Sequence, residues 1–486
     1  MICSRSVFLR RHARNNSHRN RQRRVRPSAG PILLALGLGM GAFFAPASCC
    51  HASAAGHTGL SAKSLWQLSS PSSRSLLNPG NILGLEKELT GLFLLNWRGE
   101  WFFHVGGREN GGRFVFEDTV QLHLNRNEPD LTNLVNEVYI SLQPAEFFFI
   151  DLGKQVPAGG AGYFLNPSDP WSCTRERRPF LQDREVPPEG KVILRGEYLF
   201  PSLTLEAGWA PQMVWAGNDD AVLRRSFGNP QRSSPAWVKV SGGLAGVDGS
   251  CLLSYDREWK AGLNLARVFG DNLEIHYEMG WEEWDREQAD KLNHLFLALT
   301  GADVSGPRPN ENPRVIKATT GSGFFKTLAG ANYTFAGGAN LIVEYLFNGN
   351  GLTRQEWEQV LSSISRNAAP AAGDETSPPA GEESNPPAAA GLTKAAAFFW
   401  ETGFPGLLRH YAMARFYHEL SPALALEQIV IQNLVDWSGL AIFGLSYEKE
   451  RFVLSFGVQA PYGRQESEFA LMTGDWLFKL KVEWFR

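Results

Sequence analysis

From residue 89 onward, apolar and polar residues alternate in segments of about ten, the period of a β-strand with one dry and one wet face. In Lys191–Phe200, Val192, Leu194, Tyr198 and Phe200 share one face, while Lys191, Arg195 and Glu197 take the other. Phe114, Phe116, Val120, Leu122 and Leu124 oppose Glu117, Thr119, Gln121 and His123; Leu273, Ile275, Tyr277 and Met279 oppose Glu274, His276 and Glu278. The last segment is the clearest, with Trp476, Phe478, Leu480, Val482 and Trp484 against Lys479, Lys481 and Glu483. No apolar run after residue 44 approaches the ~20 residues that a membrane-spanning helix needs.

Alternation alone also fits a β-sandwich, so the connections must decide. Tight reversals at Pro144-Ala145, Pro201-Ser202, Gly246–Gly249, Gly270-Asp271, Ala336–Gly338, Ser421-Pro422 and Glu448–Glu450 intersperse with long connections at 126–133, 154–189, 210–236, 281–322, 348–407 and 461–475. Short on one rim and long on the other is the plan of an antiparallel membrane barrel. Counting from Phe114 gives sixteen strands, and splitting Leu89–Val105 at Arg98-Gly99 gives eighteen. Aromatics gather at strand ends (Tyr198/Phe200, Trp209, Tyr277/Trp281, Trp476, Trp484), where headgroup-level girdles would place them. The expected fold is all-β, a single antiparallel transmembrane β-barrel of 16–18 strands over 89–486, with short helices in the long loops. Those helices are expected at 286–299, capped by Asp285, and after the capping box Thr353–Glu356, where Trp357, Val360, Leu361 and Ile364 form a stripe. Residues 366–391, rich in Pro, Ala and Glu without periodicity, are expected to be disordered.

Charge adds an address. Residues 1–54 hold nine Arg and no Lys, Asp or Glu, leaving the other 38 basic residues against all 50 acids. An apolar run, Pro31–Phe44, and the small-x-small triplet Ala52-Ser53-Ala54 follow the basic region. That order is a signal peptide, cleaved near Ala54; a basic nucleic-acid-binding arm leaves the apolar run unused, and a mitochondrial-type transit peptide shares the Arg and Ser bias. Residues 55–88 then read as an N-terminal periplasmic, plug-like segment. Cys49-Cys50 follows Pro46-Ala47-Ser48, an imperfect lipidation site. Cleavage leaves Cys173 and Cys251, placed on opposite rims and so not expected to bond. No metal-ligand spacing is present, and no cofactor or nucleic acid is implied.

With its leader, alternation, asymmetric loops and terminal amphipathic strand, the chain resembles a Gram-negative outer-membrane porin across residues 89–486. Phe485 is penultimate and Arg486 last, a departure from the terminal aromatic that barrel-insertion machinery reads in such proteins. A narrower likeness is carried by Asp151–Gln155, Gly159–Phe164 and Asn166–Asp169, with Glu344-Tyr345, Asn348–Gly351 and Gln432–Ser438. These are similar to alginate-export-like and uncharacterised porin-like families. The resemblance implies the bacterial outer membrane, outer-membrane lipid and the barrel-assembly machinery as partners, and diffusion or facilitated uptake of a small polar solute; it fits a monomer or a trimer.

If the apolar stripes face lipid, the lumen receives Glu117, Glu137, Asp151, Lys191, Arg195, Glu197, Glu206, Glu274, Glu278, Glu344, Arg409, Arg415, Lys479, Lys481 and Glu483. Nine acids and six bases lean toward cations. Loop 154–189 is the candidate constriction, with Lys154, Asp169, Arg175, Arg177, Arg178, Asp183, Arg184 and Glu185 able to set up a transverse field. The same residues also suit paired wall charges and an ordinary surface loop. No nucleophile–base constellation accompanies His123 or His276, so an enzyme is not expected. The remaining alternatives are a soluble or surface-exposed β-rich protein (carbohydrate-binding or adhesin) and a plugged barrel that transports a hydrophobic ligand.

Overall fold

The computed structural model describes residues 56–70, 88–105, 108–124, 129–156, 162–168, 190–212, 234–283, 323–368, 408–464, 466–472 and 475–485. The first strands are Gly56–Ser70 (β1), Glu88–Val105 (β2), Arg108–Leu124 (β3), Pro129–Ala145 (β4), Phe148–Gln155 (β5) and Lys191–Leu199 (β6). Leu203–Trp209 (β7), Ala236–Leu244 (β8), Val247–Tyr255 (β9), Trp259–Phe269 (β10), Leu273–Glu282 (β11) and Phe324–Thr334 (β12) follow. Asn340–Asn348 (β13), His410–Ser421 (β14), Leu424–Asn433 (β15), Gly439–Lys449 (β16), Phe452–Tyr462 (β17) and Trp476–Phe485 (β18) complete the sheet. Helices occupy Arg354–Ala368 (α1) and Glu468–Met472 (α2).

Each strand pairs antiparallel with the next, and β1 pairs with both β2 and β18, from Ser61 opposite Phe485 to Ser70 opposite Trp476. The sheet is therefore a closed barrel of eighteen strands, with no unpaired edge. One rim carries only tight connections, none longer than the five residues 335–339. The other carries 71–87, 156–190, 210–235, 283–323, 349–409 and 463–475, together with the short links 125–128, 256–258 and 434–438. β18 ends at the short-turn rim, as the pattern requires.

The apolar stripes face outward. Leu194, Tyr198, Leu203, Leu205, Ile275, Tyr277, Val343, Tyr345, Phe478, Leu480 and Trp484 are all exposed on the barrel's outer surface. Aromatic pairs mark both ends of that surface. Tyr198/Phe200 and Tyr333/Phe335 lie at the short turns, with ring centroids 4.5 and 4.8 Å apart, and Tyr255/Trp259 at the other rim, 4.9 Å apart.

Two sequence expectations are corrected. Residues 56–70 of the plug-like segment are strand β1, so the barrel begins before residue 89. Its alternation is blurred because Leu65 sits on the same face as Lys63 and is buried, while Ser64 and Trp66 share the outer face. In addition, Arg98-Gly99 is no turn. Glu88–Val105 is one unbroken strand, in which Arg98 faces the lumen and the Trp101 ring lies over Gly99. Eighteen strands thus arise from β1 plus an unsplit β2.

The capping box forms as its sequence demands. The Thr353 hydroxyl and amide both donate to Glu356 Oε2, at 2.8 and 2.7 Å, and the Glu356 amide donates back to Thr353 Oγ1 at 3.3 Å. Trp357 is buried. α1 runs to Ala368, so residues 366–368 are helix rather than disorder. The expected helix 286–299 and residues 369–391 lie outside the described residues, as does Cys173. Cys251 carries a free, exposed thiol on β9.

Candidate functional site

One described piece of the long connection from β5 to β6 lies inside the barrel against the wall opposite β5. This piece, Gly162–Ser168, is held by two wall carboxylates from strands on the far side. Glu278 on β11 accepts the Gly162 amide at 2.6 Å, the Ser168 amide at 3.3 Å and the Ser168 hydroxyl at 2.8 Å. Glu344 on β13 accepts the Tyr163 and Phe164 amides, each at 2.7 Å, one on each oxygen. Both glutamates are fully buried, at 0% and 1% exposure. Ionised carboxylates taken out of water need such donors, and here the backbone of the loop supplies them. His276, between them on β11, places Nε2 3.0 Å from Glu344 Oε1 and Nδ1 3.7 Å from Glu274.

Glycines make the seat. A Cβ at Gly262 on β10 would overlap the Ser168 carbonyl oxygen, and one at Gly280 on β11 would overlap that of Pro167. The loop backbone therefore lies directly on the wall at these two positions. Phe164 and Leu165 are buried. So are the inward-facing Leu328, Ile342, Leu346, Met413, Ile429, Ile431 and Leu440, so the inner wall from β12 to β16 carries a buried apolar patch. Tyr163 reaches further still. Its hydroxyl is 3.3 Å from Glu427 Oε1 on β15, and its ring lies under the Arg415 guanidinium at 4.7 Å, while Arg415 Nε donates to Glu427 at 2.6 Å.

A second segment, around α2, is fastened to β14 and to the β15–β16 link. Buried Glu468, at the start of α2, accepts the Tyr411 hydroxyl at 2.8 Å and the Asn433 amide, and its own N–H donates to Asp436 at 2.7 Å. Tyr411 in turn accepts the Leu408 amide at 2.9 Å.

The rest of the wall carries paired charges. Arg98 on β2 donates to Glu100 at 2.9 Å, Glu117 at 2.8 Å and Glu137 at 3.1 Å, one guanidinium among three carboxylates. Arg195 pairs with Asp151 and lies 3.9 Å from Glu206, which also accepts the Trp237 indole N–H at 2.7 Å. Across the closure, Lys63 and Lys481 each lie 3.6 Å from Glu483. Lys260 and Lys326 flank Glu282 at 3.6 and 3.5 Å.

No protein-family model matches the chain, and no curated protein matches it. Solved structures do. The barrel is similar to Pseudomonas aeruginosa OprD, with a TM-score of 0.45 and 10% identity over 89% of this chain and 95% of that one. It is similar to P. aeruginosa OccK2 (OpdF) in complex with glucuronate, at 0.47 and 9% over 88% and 97%. Acinetobacter baumannii OccAB3 gives 0.47 and 8% over 89% and 99%. All three are distant likenesses.

The sequence-predicted wall residues take several roles. Glu117 and Glu137 meet at Arg98, and Asp151, Arg195 and Glu206 meet one another. Lys191, Glu197, Glu274, Lys479, Lys481 and Glu483 lie on inner strand faces, partly exposed. Glu278 and Glu344 do not line water; they are sealed under the docked loop. Arg409 precedes β14, and its Nε donates to the Gly351 carbonyl at 2.9 Å, which fastens a rim turn. Lys154 is corrected from loop charge to wall. It belongs to β5, is buried, and donates to the Val135 carbonyl at 2.6 Å. Asp169, Arg175, Arg177, Arg178, Asp183, Arg184 and Glu185 lie outside the described residues. Sequence reading misses Arg98, Glu100 and Glu427. A turn at Arg98-Gly99 hides the first two, whereas Glu427 shares its face with Ile429 and Ile431, so no polar stripe marks it.

Proposed function

We propose that this chain forms an aqueous channel in a bacterial outer membrane, passing small polar solutes by diffusion or facilitated uptake. The observation that carries the reading is a closed barrel, apolar outside, whose lumen holds a loop segment docked on the wall and flanked by ion pairs. A belt of exposed apolar strand faces in a barrel without edges matches hydrocarbon and offers water no stable fit. A loop that narrows the lumen, between pairs of opposite charge, selects by size and by the orientation of polar groups. The route to that membrane would be export with cleavage near Ala54, then insertion by the barrel-assembly machinery. Arg98 with its three glutamates, Arg195 with Asp151 and Glu206, and Arg415 with Glu427 are the groups a passing solute would meet.

The test is the refolded chain in planar bilayers. Discrete conductance steps are expected, with liposome swelling for small sugars or amino acids. A heat-modifiable, folded barrel that passes neither ions nor solutes would overturn the channel and leave a plugged transporter.

A further inference from the structure

We infer that Glu278 and Glu344 are positioning residues that set the aperture, and that their hold on Gly162–Ser168 requires an acceptor at both oxygens of each side chain. The inference rests on the channel reading above. All four carboxylate oxygens accept hydrogen bonds from the segment, and five of its donors, four backbone amides and the Ser168 hydroxyl, are spent there. A carboxamide in place of either carboxylate sets an NH2 donor where an acceptor faced an N–H. Two donors then confront each other in a buried place, where an unmet donor is costly.

The charged groups around the dock point the same way. On β11, Glu274 and His276 face it, and His276 Nε2 lies 3.0 Å from Glu344 Oε1, a further contact that holds this side chain in place. Lys260 on β10 and Lys326 on β12 are engaged by Glu282, and Arg415 on β14 by Glu427 on β15. The described segment itself brings only the Tyr163 phenol. The seat at Gly262 and Gly280 fixes where the loop returns, so docking has two states, seated or lifted.

The experiment compares the parent chain with the E278Q/E344Q double variant in planar bilayers. Unchanged heat-modifiable mobility is expected, with conductance raised about two-fold or more and admission of larger solutes in liposome swelling. In a background with every native cysteine changed to Ser, Leu165→Cys reacts slowly with a water-soluble maleimide, and faster once both glutamates are replaced. Equal conductance and equal labelling in parent and variant would overturn the inference. If the double variant does not fold, Gly280→Leu keeps both carboxylates and fills the Pro167 seat; it must open the channel likewise, and unchanged conductance there also overturns it. A parent that passes no current while labelling responds as described would sink the channel reading and leave the dock standing.

Discussion

Glu344, midway along β13, accepts the backbone amide of Phe164 at 2.7 Å, across 180 residues of chain. Glutamate on an inner barrel face ordinarily speaks of wetted wall. Here it is an internal fastener, and the count of luminal charges changes with it. Without Glu278 and Glu344, many of the acids that remain stand beside arginine or lysine on neighbouring strands, so the path is lined by dipolar pairs more than by net charge.

Arg98 is the counter-charge for Glu100, Glu117 and Glu137. Arg98→Ala is expected to raise cation over anion permeability about two-fold or more, read as reversal potential in a salt gradient. Raising ionic strength should shrink the difference, because these charges meet solvent.

Leu480 and Lys479 are neighbours on opposite faces of β18. Leu480→Arg puts a charge on the apolar surface and is expected to cost about 2–4 kcal/mol at mid-membrane depth. Lys479→Leu alters only the inner wall. Refolding yield into vesicles, read by heat-modifiable mobility, should fall for the first and hold for the second. Equal yields would contradict the outward assignment of the stripe.

Tyr411 joins the Leu408 amide to Glu468 inside the rim. Tyr411→Phe strands a buried donor and removes a donor from a buried carboxylate, at about 1–3 kcal/mol for each unmet group. A lower urea midpoint with an unchanged m-value is the expected result.

β1 supplies the seam with β18. Deleting residues 56–70 leaves two unpaired edges, and the shortened chain should show no heat-modifiable band in vesicles. A closed seventeen-strand product would refute the role assigned to β1.

The strands of the barrel were legible because outward lipid-type faces and inward polar faces give a period-two signal over most of β3–β18. Gly56–Ser70 escaped because its small residues and inward Leu65 weaken that signal, and Arg98-Gly99 misled because a charged residue before glycine looks like a turn. The glycine is tolerated in β2 because the Trp101 ring takes the missing side chain's place. The inward-facing apolar set on β12–β16 was hidden for a related reason: each such residue alternates with another apolar one, so both faces look alike. The dock could not be read at all. Its partners stand 110 to 181 residues apart, and no local pattern records such a meeting.

That separation also orders events in folding. The segment leaves β5, but its fasteners arrive only with β11 and β13. Without those strands the segment lacks the acceptors that seat it. The narrow passage is a late acquisition, made when the wall on the far side has already been built.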